Sequence, residues 1–159
     1  RTLPADVRDP IRDKAKKITG NQLDRYIGGR LGLIFDTTSA KLSKIQTYKK
    51  MLDSLGYEYK MVYVRTSLDN AQKRNELRPR KLPPQVVQKD WEKVEKNATK
   101  LKSLFKKDFV SVSNDDDLKS LENKTRVLFS KMMSWATSFP KNKLALDWKQ
   151  SELDAKRTK

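Results

Sequence analysis

Residues 29–70 read GRLGLIFDTTSAKLSKIQTYKKMLDSLGYEYKMVYVRTSLDN, and their order of patterns decides the fold. Leu31 to Phe35 is an uninterrupted apolar run between glycines and the polar cluster Asp36-Thr37-Thr38-Ser39, which predicts a strand buried on both faces. Helical spacing takes over from 40 to 55, with Leu42, Ile45, Leu52 and Leu55 inward and Lys41, Lys44, Lys49 and Lys50 mostly outward. Gly56 fits the left-handed position after a helix. Tyr57 to Val64, rich in β-formers, predicts a second strand, and Thr66 or Ser67 can cap a helix running to about Leu77.

Downstream, Pro79, Pro83 and Pro84 bracket the basic loop RPRKLPP. Residues 84–105 then carry Val87, Trp91, Val94, Ala98, Leu101 and Phe105 at four- and three-residue intervals, the stripe of an amphipathic helix. Phe109 to Val112 predicts a third strand, and residues 113–117 turn it into a helix over about 116–137, ended by Pro140. Upstream, one helix is expected over 6–18, ended by Gly20, and a second over 21–28, stopped by Gly28-Gly29. Strands alternating with helices predict an α/β domain: a parallel sheet of three strands, with right-handed crossovers placing helices on both faces. The expected division is a domain over 1–139 and a basic helical tail over 140–159.

Composition restricts the chemistry. The 159 residues hold no cysteine and no histidine, which removes disulfides, thiolate nucleophiles, Ser-His relays and the usual transition-metal ligands. Catalysis is left to carboxylates, hydroxyls, Lys, Arg or a hard cation such as magnesium. Lys and Arg number 36 against 20 Asp and Glu, a formal charge of +16, which favours encounters with phosphate-bearing partners. No apolar run approaches the roughly 18–20 residues that span a bilayer, so no membrane role is expected.

Three groups of residues could carry function. Asp36 closes a predicted strand, at the rim where open α/β sheets bind ligands. It either caps the helix beginning near residue 40 or holds magnesium, directly or through water. Arg74 and Arg78 share a helix face, and Arg80 and Lys81 follow in the proline-bounded loop. This set is either a solvated basic turn or a cluster for transferring phosphates, since guanidiniums offer paired donors at fixed geometry. Lys89, Lys93, Lys96 and Lys100 recur along one face of the 84–105 helix, as a solubilising surface or as a track for a polynucleotide backbone. Trp91, Trp135 and Trp148 read as core or docking residues. Ser113 to Asp117 lacks the glycine and distal Glu of a calcium loop and reads as a helix start.

Taken together, LGLIFDTTS, LGYEYKMVYVRTSLDNAQKRN and RPRKLPPQVV resemble P-loop kinase-like proteins of tailed bacteriophages, described as zeta-toxin-like or polynucleotide-kinase-like. The resemblance runs from about residue 7 to FPKNKLALDWK. It implies a doubly wound sheet, ATP with magnesium, and phosphoryl transfer in the host cytoplasm or a phage particle. It makes Asp36 the Walker B-like acid, Arg74 the arginine opening a lid-like segment over about 72–86, and Arg78 and Arg80 the residues facing a triphosphate.

One departure is severe. The family's phosphate cradle, GxxxxGK[ST], occurs nowhere in these residues. A sheet of this kind would also lack the strand between those ending at Asp36 and Arg65, leaving buried edges unpaired. The expectation is therefore the carboxyl-terminal part of a P-loop kinase, whose first strand and phosphate loop belong to a longer polypeptide or a neighbouring chain. Residues 1–159 alone should not hydrolyse ATP. The alternative is a non-enzymatic virion or assembly component whose basic surface grips nucleic acid or subunits.

Overall fold

The computed structural model describes residues 3–158. Arg1, where the expected carboxyl-terminal part begins, and Lys159, the last residue of the expected basic tail, lie outside them. The chain divides into two compact units, one up to Thr37 and the other from Thr38 onward.

In the first unit a single helix, α1 (Ala5–Gly28), replaces the two short ones expected. Gly20 does not end it, because a mid-helix glycine costs only about 1 kcal/mol when no cap supports a stop. The stop lies beyond the glycine pair. Arg30, at φ +53°, takes the left-handed position, while its N–H reaches the Ile27 carbonyl and that of Leu31 the Tyr26 carbonyl. No residue of α1 is buried. The expected strand Leu31–Phe35 is also corrected: these residues have no regular structure, and Ile34 is 98% exposed. A strand exists through its ladder partner, and among the described residues no strand pairs with this run.

The second unit opens with α2 (Leu42–Ser54). Gly56, at φ +75°, closes it as the spacing predicts, with Gly56 N–H on the Asp53 carbonyl and Tyr57 N–H on that of Leu52. Strand β1 is Met61–Arg65, shorter than the expected 57–64. Its partner β2 (Phe109–Ser113) begins opposite Met61, so the ladder cannot extend back. The residues just before the ladder, Lys60 and Asp108, meet instead as an ion pair at 2.6 Å. The two strands are parallel, as predicted, and form a two-stranded sheet.

Between them run α3 (Leu68–Leu77) and α4 (Pro84–Phe105), the latter with the expected bounds and Pro84 at its first position, where a missing N–H costs nothing. After β2 come α5 (Leu118–Ala136), capped by the Asp117 carboxylate, and α6 (Lys143–Arg157). No helix among the described residues is long and apolar enough to cross a membrane.

The core lies where α2, α4 and one face of the sheet meet. Ile45, Tyr63 and Leu101 are its buried members, surrounded by Leu42, Met61, Val94, Ala98, Leu104, Phe105 and Phe109. Side chains alternate across a strand, so the Tyr63 face is covered while Val62 and Val64 point the other way. Those two are exposed, and Val64 is 57% accessible. Parallel sheets normally bury both faces.

Candidate functional site

Parallel strands deliver their carboxyl ends to one rim, and here the loops after β1 and β2 are laced together there. The Asn114 N–H donates to the Arg65 carbonyl at 2.7 Å, one step past the ladder. Arg74, half-buried on α3, donates from a terminal guanidinium nitrogen to the Asn114 carbonyl at 2.5 Å. Trp91 of α4 donates its indole N–H to the Thr66 carbonyl at 2.8 Å. These contacts bound a cleft of about 250 Å³ lined by Arg65, Thr66, Ser67, Trp91, Glu95 and Asp115.

Asp115 organises this rim. Its carboxylate accepts from the Thr66 hydroxyl at 2.7 Å, the Ser67 N–H at 2.7 Å and the Asn70 side-chain amide at 2.9 Å. The Ser67 hydroxyl in turn accepts from the Asn70 N–H and so caps α3. With donors converging on it, the Asn70 amide first among them, Asp115 has its pKa lowered to about 2. It stays ionised at neutral pH and cannot serve as a general acid.

A depressed carboxyl pKa stabilises the fold above the unfolded-state value and loses that contribution as pH falls through the folded value. Stability should therefore fall between about pH 4 and pH 2, and thermal melts of Asp115→Asn should lack that part of the fall. An unchanged pH profile in the variant would refute this role.

Behind the cleft, the Tyr63 hydroxyl donates to Glu95 at 2.9 Å. Burial first, and the Glu95 carboxylate second, push its pKa up to about 12. Tyr63 is a structural donor at any ordinary pH.

The residues picked out from sequence fall in different places. Arg74 is at the rim, committed to Asn114. Arg78 and Arg80 are exposed in the loop that leaves α3. That loop is fixed by a residue the sequence did not flag: Asn75, only 7% exposed, bonds both the N–H and the carbonyl of Leu82. Lys89, Lys93, Lys96 and Lys100 are all exposed on α4, with Lys93 paired to Asp90 at 2.9 Å. Asp36 is exposed within the first unit. Trp91 and Trp135 are half-buried, and Trp148 is 36% exposed. Asp117 caps α5, so the 113–117 run does start a helix.

Among the described residues no group of three or more acidic or other metal-ligating side chains could hold a metal ion. A lone exposed carboxylate such as Asp36 suits magnesium that arrives with a nucleotide, since that ion keeps most of its water and phosphate ligands. It does not suit a resident metal. The glycine-rich motif GxxxxGK[ST] does not occur in these residues.

A family model described as Zeta toxin matches residues 4–126, from the start of α1 into α5. Comparison with curated proteins found no match, and comparison with solved structures found none.

Proposed function

The chain belongs to the zeta toxin family of P-loop kinase-like proteins, and on that premise we propose that it is the carboxyl-terminal part of a phage-encoded kinase. Kinases of the family use ATP and magnesium, which supply the transferable phosphoryl group and its charge neutralisation. In this reading a glycine-rich phosphate loop comes from elsewhere in the polypeptide or from a neighbouring chain. Asp36 holds magnesium, through water or directly. Arg74 stands at the opening of the 72–86 segment, and Arg78 and Arg80 bind anionic oxygens. Residues 31–35 become the third strand once a neighbouring strand is supplied. Residues 1–139 form the kinase-like part and 140–159 a basic tail, acting in the bacterial cytoplasm or the phage particle.

The observation that carries the proposal is the open half of the sheet. β1 and β2 are parallel and laced at their carboxyl rim by Arg74 and Asp115, yet Val62 and Val64 stand exposed where a doubly wound sheet is covered. Further chain packed there would cover the open face, and in this reading the same segment carries the phosphate loop.

Two measurements test it. The 159-residue chain should release no phosphate from ATP, and measurable turnover would refute the need for a separate phosphate loop. The protein carrying a GxxxxGK[ST] segment should melt about 5–10 °C higher with ATP and magnesium at roughly a hundred times Kd. Arg78→Ala with Arg80→Ala should abolish that rise, and a rise that persists would remove these arginines from the site.

The four exposed lysines of α4 favour a second reading, in which a kinase-derived fold grips nucleic acid or neighbouring subunits without catalysis.

A further inference from the structure

The loop joining α3 to α4 carries Arg78, Arg80 and Lys81 within four residues, all exposed. None of the three makes an ion pair with another described residue. Three like charges at such range repel, and an unrestrained loop would spread to separate them.

This loop is restrained. At its far end the Asn75 side-chain amide donates to the Leu82 carbonyl at 2.8 Å and its oxygen accepts from the Leu82 N–H at 2.9 Å. Gln72, one turn earlier on α3, donates to the Pro84 carbonyl at 2.9 Å. At its near end the chain leaves α3 at Leu77, with the Arg78 N–H on the Asn75 carbonyl. Pro79 and Pro83 fix two further backbone angles.

A primary amide side chain carries its donor and its acceptor on separate atoms, the match for the carbonyl and N–H of one residue. Asp would lose the donor, and Ala both bonds. Because Asn75 is buried, its amide cannot exchange the pair for water without the loop lifting away.

We infer that Asn75 is a positioning residue that holds the 78–82 loop in its binding form before any ligand arrives, making the Arg78-Arg80-Lys81 tip a preformed site for a polyphosphate chain. This rests on the assignment of Arg78 and Arg80 to phosphate oxygens under Proposed function, and adds that the segment needs no ordering step. Preorganisation of this kind raises affinity by removing the entropy of fixing the loop on binding.

The test uses the 159-residue chain with inorganic tripolyphosphate as probe, followed by calorimetry and by amide hydrogen exchange. In the unliganded chain the Leu82 amide should be protected, with little further protection when tripolyphosphate binds. Asn75→Ala should speed Leu82 exchange and weaken tripolyphosphate, each about tenfold, while β1 and β2 amides exchange as before. A change confined to the loop separates positioning from a general loss of stability.

Exchange of Leu82 at the free-peptide rate in the unsubstituted chain would overturn the inference, whether or not the variant folds. Equal tripolyphosphate affinity in Asn75→Ala and the parent would also overturn it, even if Arg78→Ala with Arg80→Ala still abolished binding. In that case the arginine assignment stands and only the preformed loop fails. Binding unaffected by the double arginine substitution would refute the assignment itself.

Discussion

Leu101→Ala is expected to be the most destabilising single truncation in the chain, at about 2–5 kcal/mol. Leu101 has no exposed surface and is the largest fully buried side chain among the described residues. It sits on α4 where Ile45 of α2 and Tyr63 of β1 converge, so its removal opens a void touching all three elements. Around it is a thin core. Among the described residues Ile45, Leu52, Tyr63 and Leu101 are the buried hydrophobics, and close packing lets their neighbours collapse only in part into the space. A loss of about 3 kcal/mol corresponds to a melting temperature lower by about 6–12 °C in a chain of this size. Leu77→Ala is the control, because Leu77 is 85% exposed and its truncation should stay within about 0.5 kcal/mol. Equal melting of the two variants would mean that α2, α4 and the sheet are not held together at Leu101.

The second large effect concerns salt. If Lys89, Lys93, Lys96 and Lys100 each neutralise one phosphate of a single strand, their share of the slope of log K against log salt is about −2.8. Between about 50 and 200 mM salt that share weakens binding roughly 50-fold. Replacing all four by Ala should flatten the slope by about that amount. The change should be nearer 2 if Lys93 stays with Asp90, to which it is paired at 2.9 Å. Fluorescence anisotropy with a labelled oligonucleotide reads the slope directly. A parent and a quadruple variant with the same slope would leave the lysine face as a solvated surface. Binding that weakens with salt as expected, but ignores ATP, would strengthen the non-catalytic reading.

The parts legible in the sequence were those fixed by local chemistry. The bounds of α4 follow from an apolar stripe entered through Pro84, and those of α2 from its stripe and from Gly56 at φ +75°. A cap at Thr66 or Ser67 is legible by residue type and place, and Ser67 is the one that caps α3. The misread elements depended on partners. Leu31–Phe35 has the composition of a strand, but composition does not supply a second strand to form a ladder with. Gly20 looked like a stop, yet the helix passes through it because the left-handed turn belongs to Arg30.

The site divides in the same way. Arg74, Arg78 and Arg80 were visible as a spaced basic set, but their different surroundings were not: one is tied to Asn114 and two are in solvent. In the sequence Asp115 is one of three aspartates in a row, with nothing local to single it out. Its importance comes from Thr66, Ser67 and Asn70, which lie 45 to 49 residues earlier and meet it only through the parallel register. Asn75 is equally silent in sequence, since its partner is the backbone of Leu82 and leaves no mark on residue type.

The parallel ladder also fixes an order of events as the chain folds. Met61 pairs with Phe109 and every later pair keeps the same offset, while the flanking contact from Lys60 to Asp108 spans 48 residues. No rung of the sheet can form until α3, α4 and the proline-bounded loop between them have been drawn into one closed excursion. The entropy of that closure is spent before the first inter-strand bond repays any of it. The helices, whose bonds are local, bear the early stages, and the sheet is the late event that locks them. A chain caught before that closure displays Val62, Val64, Val110 and Val112 as two unpaired β-forming runs, the kind of segment through which nascent chains associate with each other. The +16 charge keeps two such chains apart during that interval.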